Sequence, residues 1–364
     1  MEVGADSFWS NRPFIISGPC SAETEEQVMG IARALHSDGR IQLFRAGIWK
    51  PRTRPGTFEG VGERGLAWLQ RVKEELNFPV TVEVAKASHV ELALKYGIDS
   101  LWIGARTTVN PFSVQELADV LRGVDIPVFV KNPINADQEL WMGALERILS
   151  AGLSQVGLIH RGFSSPGRSE YRNPPNWQIP IEMKRRYPDT LLLCDPSHIC
   201  GNRHMLQEVA QRSIDLGFSG LMLESHLNPD NAWSDAAQQV TPAGLRTILD
   251  ALVWRKEENV SAGSDDELVQ LRSMIDEMDA QILDIIGRRM EVADQIGEYK
   301  KNNNMTILQT RRWNEILQRG LSKGELLGLN KEFLLRYFNA IHMESIRHQN
   351  RVMNGSMELP ESSK

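Results

Sequence analysis

Residues 80–105, VTVEVAKASHVELALKYGIDSLWIGA, hold two strand-length apolar runs, VTVEV (80–84) and SLWIGA (100–105). Between them lies a stretch with helical periodicity that Gly97 punctuates. The alternation extends in both directions. FIISG (14–18) and IQLFRAG (41–47) come before it; VFVKN (128–132), QVGLIHR (155–161), LLLCD (191–195) and GLMLES (220–225) come after. Eight strands alternating with helices in about 250 residues is the count and size of a (β/α)8 TIM barrel. A doubly wound open sheet is the alternative that the pattern leaves standing.

With 364 residues and about 150 per domain, the chain has room for two domains or for a large barrel with an appendage. Forty-one Lys and Arg against 47 Asp and Glu give a net charge of −6. That balance argues against a general attraction to nucleic acid or to an anionic membrane, so anions must be met locally. Three cysteines, Cys20, Cys194 and Cys200, are too few to staple the chain and fit a reducing cytoplasm. The first residues lack a basic region followed by an apolar one, and no apolar run approaches the ~20 residues that span a bilayer. A cytoplasmic protein is expected.

The texture changes after Leu252. WRKEENVSAGSDDE (254–267) is polar and ends in an acidic cluster suited to a helix N-terminus. Apolar positions then step by three and four: Leu268, Leu271, Ile275, Met278, Ile282, Ile285, Val292, Ile296 and Tyr299. This spacing predicts one long helix, followed by shorter ones over about 307–319 and 330–353, the last introduced by Asn330 as N-cap. The predicted organisation is a barrel (1–255), a linker (256–265), a small all-α three-helix domain that dimerises (266–353) and a disordered tail (354–364).

In a barrel the chemistry sits where strands end. Reading round the predicted barrel gives Cys20, Arg45 with Lys50, Glu83, Arg106, Lys131, Arg161, Asp195 with His198, Glu224 with His226, and Asp235. Taken singly, an arginine there is most often a surface ion pair and a lone cysteine a small buried apolar residue. Together, five cations at one rim are costly unless anions neutralise them, which points to substrates carrying phosphate and carboxylate. Lys50-Pro51-Arg52-Thr53 combines an ammonium, a guanidinium and a hydroxyl able to grip one phosphate. Cys20, His198, Glu224 and Asp235 form a mixed soft and hard donor set suited to a divalent transition ion. Spread over 215 residues, they have no spacing signature, so the residues alone leave the metal open.

In order along residues 10–255 stand Gly18-Pro19-Cys20-Ser21, Arg45-Ala46-Gly47, Lys50-Pro51-Arg52-Thr53, Ile103-Gly104-Ala105-Arg106-Thr107-Thr108 and Lys131-Asn132, then Asp195-Pro196-Ser197-His198, Glu224-Ser225-His226 and Ser234-Asp235. This series resembles the 3-deoxy-D-arabino-heptulosonate 7-phosphate synthase family, in its short type I beta form with the barrel only. The resemblance implies condensation of phosphoenolpyruvate with erythrose 4-phosphate, releasing phosphate. It also implies one divalent metal per barrel (Mn, Fe, Co or Zn) on Cys20, His198, Glu224 and Asp235. Arg45, Lys50, Arg106, Lys131 and Arg161 match the phosphoenolpyruvate positions, and Arg52 and Thr53 those of erythrose 4-phosphate. Glu83 would orient water and Lys50 protonate the aldehyde oxygen. The sister octulosonate phosphate synthases usually carry an Asn-containing loop in place of Lys-Pro-Arg-Thr, so this loop favours the four-carbon sugar. Arg54 departs from the Ser usual in the subtype.

In the long helix, stepping from Ile285 lands on Arg289 before resuming at Val292, and a charge in a seam is expensive unless paired. Arg289 and Lys300 are about 20° apart around the axis and roughly 16 Å along it, so they can face one cavity. Arg272 lies roughly 42 Å from Lys300, which points to an antiparallel dimer whose pockets each borrow one Arg272. Ser345 and Gln349 interrupt the last helix in the same way, although a buried ion pair for Arg289 and a backbone bond for Ser345 would also explain them. Leu271-Arg272, Arg288-Arg289, Ile296-Gly297-Glu298-Tyr299-Lys300, Arg311-Arg312-Trp313 and Glu344-Ser345-Ile346-Arg347-His348-Gln349 resemble an all-helical chorismate mutase. The resemblance implies a cofactor-free rearrangement of chorismate to prephenate, with Arg272, Arg289, Lys300, Gln309, Arg312, Ser345 and Gln349 as the pocket. Lys300 and Gln349 would be nearest the breaking ether oxygen. Positions 309 and 313, acidic in many relatives, are Gln and Trp here.

The chain is thus expected to be a bifunctional, homodimeric shikimate-pathway enzyme of aromatic amino acid synthesis, with allosteric feedback by prephenate. The alternative keeps the synthase and makes the helical part a non-catalytic sensing and dimerisation module. A Schiff-base aldolase using Lys131 is a third possibility.

Overall fold

The computed structural model describes residues 12–50, 58–165, 169–255 and 265–355. Arg52 and Thr53 lie outside the described residues, as do residues 256–264 of the expected linker and 356–364 of the expected tail. The chain divides into two compact units, Met1–Glu257 and Glu258–Lys364.

In the first unit β1 (Phe14–Gly18), β2 (Leu43–Arg45), β3 (Val80–Val84), β4 (Ser100–Ile103), β5 (Val128–Lys131), β6 (Val156–His160), β7 (Leu191–Cys194) and β8 (Gly220–Glu224) pair in parallel, each with its successor. β8 returns to β1, with Gly18 opposite Glu224, so the sheet is a closed barrel rather than the open alternative. Among the described residues ten α-helices accompany the strands: α1 (Glu25–His36), α2 (Arg64–Leu76), α3 (Ala87–Lys95), the short α4 (Ala105–Thr108), α5 (Pro111–Leu121), α6 (Gln138–Ser150), α7 (Gln178–Arg186), the short α8 (Pro196–Cys200), α9 (Leu206–Asp215) and α10 (Pro242–Ala251). Their starts are written locally. Thr24, Asn110 and Asp137 accept bonds from the first-turn N–H groups of α1, α5 and α6.

Side-chain alternation positions the chemistry. Phe14, Ile16, Leu43, Trp102, Phe129, Ile159, Leu191, Leu193 and Met222 fill the barrel interior. The intervening Ile15, Phe44, Leu101, Val128, Leu158, Leu192 and Leu221 belong to the larger core shared with the helices. One further step of two along the inward parity reaches Arg45, Lys131, Arg161, Asp195 and Glu224. All strands being parallel, those steps end at the same mouth.

His160 has the opposite parity. Its ring lies 5.5 Å from those of Phe163 and Trp177 and 6.2 Å from those of Trp141 and Phe218. Burial pulls it down from 6.5 to about 3. The unfolded chain therefore takes up a proton near the ordinary histidine value that the folded barrel refuses, so stability is lost as pH falls from about 6.5 towards about 3. At roughly 1.4 kcal/mol per pH unit the full effect is a few kcal/mol. His160→Phe is expected to reduce the drop in melting temperature between neutral and mildly acidic buffer; an equal drop in both proteins would show that His160 does not carry it.

The second unit consists of α11 (Asp265–Asn302), α12 (Thr310–Leu326) and α13 (Lys331–Asn354), with α13 packed on both others. Asn330 caps α13 through the N–H groups of Glu332 and Phe333. α12 starts later and runs further than the sequence pattern predicts, passing through Gly320 and Gly324, which are packing positions. A Cβ there would stand 2.3 Å from the Phe338 ring and 2.4 Å from Leu334. α13 also takes in Asn354, the first residue of the expected tail. Along α11, Met290 and Ala293 are buried. Leu271, Ile275, Met278, Ile282 and Ile285 are 46–58% exposed, an apolar row with no cover among the described residues of this unit. Among the described residues no helix is long and apolar enough to cross a membrane.

Candidate functional site

Trp102 forms the floor of the barrel mouth. The Arg45 guanidinium lies over its ring, 5.0 Å from the centroid, and the Lys131 ammonium lies at 5.9 Å. Its indole N–H donates to Glu83 Oε2 at 3.2 Å. Gly104 closes over Glu83, since a Cβ at that position would be 1.9 Å from the carboxylate. Arg45 also pairs with Glu224 Oε1 at 3.2 Å, and Lys131 with Asp195 Oδ2 at 2.7 Å. The same Asp195 oxygen stands 2.8 Å from His198 Nδ1, and His198 Nε2 is 3.8 Å from Glu224 Oε1. Lys50 Nζ donates to Cys20 Sγ at 2.6 Å and lies 3.9 Å from Asp235 Oδ2; the thiol donates to that oxygen at 3.2 Å. Arg161 donates to Asn173 Oδ1 at 2.9 Å, and Asn173 donates in turn to the His198 carbonyl at 2.6 Å. Arg106 sits on α4, beyond β4, with its side chain exposed.

Charge and burial oppose each other here. Burial alone would raise the Asp195 carboxyl, but His198 and Lys131 more than offset it and hold it well below the usual range. Glu224 is likewise lowered against its burial by His198, Arg45 and Lys50. Burial, followed by the repulsion of Arg172 and Arg106, pulls the Arg161 guanidinium down to about 10. Such crowding of cations is relieved by an anionic ligand. Burial and the Glu224 charge push the Cys20 thiol up to about 12.

Cys20, His198, Glu224 and Asp235 offer the donor types of a divalent transition-metal site. Glu224 Oε1 is buried with no hydrogen bond, which fits a group that would use it. The four donors stand as two pairs, Cys20 with Asp235 and His198 with Glu224. Among the described residues no three His, Cys, Asp or Glu side chains are grouped closely enough to enclose an ion as they stand. The fit is therefore one of chemistry and convergence.

In the helical unit a cavity of about 540 Å³ is lined by Arg289, Lys300, Gln309, Arg312, Ser345 and Gln349. Arg289 donates to Ser345 Oγ. Lys300 donates to Gln349 Oε1 at 2.9 Å and to the Ile307 carbonyl at 2.5 Å. Burial lowers both cations. Arg272, exposed on α11, is not among the lining residues.

Several residues here escaped the sequence reading. Trp102 was findable, since it shares the inward parity and ends one residue short of the β4 terminus. Asn173 and Gln238 carry no signal, because they reach the mouth from loops. In the helical cavity Arg319 and His342 were also missed, and His342 stacks on Trp313 with ring centroids 3.9 Å apart.

The profile of the DAHP synthetase I family matches residues 9–262, and that of chorismate mutase type II matches residues 271–350. A phospho-2-dehydro-3-deoxyheptonate aldolase of Thermotoga maritima is 29% identical over 226 residues, which cover 62% of this chain and 64% of that protein's length. A 2-dehydro-3-deoxyphosphooctonate aldolase of Paracidovorax citrulli is 26% identical, over 69% of this chain and 92% of its own. Among solved structures, the crystal structure of the Thermotoga maritima phospho-2-dehydro-3-deoxyheptonate aldolase (DAHP synthase) aligns with a TM-score of 0.59 at 27% identity, covering 65% of this chain and 67% of its own.

Proposed function

We propose, from the premise that the chain belongs to the DAHP synthetase I family and carries a chorismate mutase type II domain, that it is a cytoplasmic bifunctional shikimate-pathway enzyme. Its barrel (1–255) condenses phosphoenolpyruvate with erythrose 4-phosphate, and its helical domain (266–353) rearranges chorismate to prephenate. The observation that carries the first activity is the pair of cations flanking Trp102 at the mouth where Arg161 also ends.

Arg45, Arg106, Lys131 and Arg161 bind the phosphate and carboxylate of phosphoenolpyruvate. Arg52 and Thr53 hold the sugar phosphate. A divalent ion (Mn, Fe, Co or Zn) held by Cys20, His198, Glu224 and Asp235 would supply Lewis-acid polarisation of the aldehyde oxygen. Lys50, within reach of both Cys20 and Asp235, helps bind phosphoenolpyruvate and protonates that oxygen as the new carbon–carbon bond forms. Glu83, bonded to Trp102, orients the water that adds to the former enol carbon, and phosphate leaves with its bridging oxygen.

The mutase needs no cofactor. Arg289, Arg312 and one Arg272 from a second copy bind the two carboxylates, with Gln309 and Ser345 completing the pocket. Lys300 and Gln349 meet the charge that grows on the ether oxygen. The exposed apolar row from Leu271 to Ile285 supports an antiparallel homodimer through α11. The second reading, a helical module that senses and dimerises without catalysis, has the Gln309 and Trp313 departures in its favour.

One assay series tests the whole. The full chain is given phosphoenolpyruvate with erythrose 4-phosphate or with arabinose 5-phosphate, with and without chelator and prephenate, and chorismate in parallel. The expected result is a preference for the four-carbon sugar, loss with chelator, inhibition by prephenate, and conversion of chorismate. Preference for arabinose 5-phosphate would overturn the substrate assignment. Inert chorismate would leave the sensing reading.

A further inference from the structure

Gln238 is 1% exposed and lies in the loop after β8, just beyond Asp235. Its amide is held at both ends. Nε2 donates to Glu224 Oε2 at 2.7 Å, and Oε1 accepts from Arg172 NH1 at 2.9 Å. The same Arg172 nitrogen donates to Asp235 Oδ1 at 2.8 Å. An amide of this length donates a hydrogen bond to a carboxylate and accepts one from a guanidinium at the same time.

The consequence is a selection of oxygens. Glu224 Oε2 is occupied by the amide, which leaves Oε1 as the oxygen on the His198 and Arg45 side, without a hydrogen bond of its own. Asp235 Oδ1 is occupied by Arg172, which leaves Oδ2 on the Cys20 side. We infer that Gln238 is a positioning residue for the ion site of the barrel. It fixes one oxygen of Glu224 directly, and through Arg172 one oxygen of Asp235, so that each carboxylate presents a single, preset donor. The inference rests on the metal reading proposed above. Outer contacts of this kind typically change metal affinity by about tenfold to a hundredfold.

The test is a titration of chelator-stripped full-length protein with Mn2+, reading free Mn2+ by electron paramagnetic resonance. Gln238→Met keeps the volume and removes both hydrogen bonds. It is expected to weaken Mn2+ binding about tenfold to a hundredfold, with condensation restored by excess Mn2+ and the Michaelis constant for phosphoenolpyruvate unchanged at saturating metal. Arg172→Met, at a half-exposed side chain, removes the donor to Asp235 Oδ1 and the outer anchor of Gln238 but keeps the bond from Gln238 to Glu224, and is likewise expected to weaken binding; it decides the matter if Gln238→Met does not fold. Wild-type Mn2+ affinity in a folded variant overturns the positioning role. A wild-type protein that takes up no Mn2+ overturns the metal reading itself, and the role of Gln238 with it.

Discussion

Cys20→Ala is expected to abolish metal-dependent condensation, with a fall of at least about a thousandfold, equivalent to ~4 kcal/mol of barrier, and to leave the barrel folded. The thiol is wholly buried at the mouth, bonded to Lys50 and Asp235. It is the only soft member of the proposed donor set, so its loss changes the chemistry of the site more than its volume. Alanine removes one sulfur atom from a polar pocket and leaves the interior cluster under Trp102 untouched, so the fold should survive. The measurement is turnover after metal stripping and readdition, alongside the thermal transition. Full activity in the remetallated variant would remove the thiol from the site; an unfolded variant would assign Cys20 to structure.

Much of the barrel site is legible from one rule applied to eight short runs. Stepping by two from Leu43, Phe129, Leu193 and Met222 reaches Arg45, Lys131, Asp195 and Glu224, because a strand allows no other parity once its apolar residues are inside. The rule stops where strands stop. Arg106 comes after a change to helix, which turns it towards solvent. Asn173 and Gln238 arrive on loops whose paths are set by contacts far apart in sequence, such as the Cys20 N–H donating to Gln239 Oε1 at 3.0 Å across 219 residues. The far end of α12 was hidden for a different reason: glycine is a poor helix former, and the use of Gly320 and Gly324 shows only where Phe338 and Leu334 take up the space. Helical periodicity, in contrast, located Arg289, Ser345 and Gln349 as interruptions of apolar stripes and Lys300 beside one, and the fold turns these residues towards each other.

Mixing two mutase-dead chains is expected to restore about a quarter of the sites. Arg272→Ala and Lys300→Met, each assayed alone, should lose roughly a hundredfold or more of chorismate rearrangement, the scale of one charge-stabilising donor. α11 is a single helix from Asp265 to Asn302, so the 28 residues between these cations span roughly 42 Å, and neither can reach the other's ligand within one chain. If each pocket takes Arg272 from the opposite copy, a heterodimer contains one pocket with both cations and one with neither. Random exchange makes about half of the dimers mixed, which gives the quarter. The exposed row Leu271, Ile275, Met278, Ile282 and Ile285 on the same helix supplies the apolar surface that would hold the copies together. Activity that stays at the sum of the two parents after exchange, verified by mass-tagged chains, would mean that Arg272 serves no pocket across a dimer. Full activity of Arg272→Ala by itself would remove that residue from the reaction.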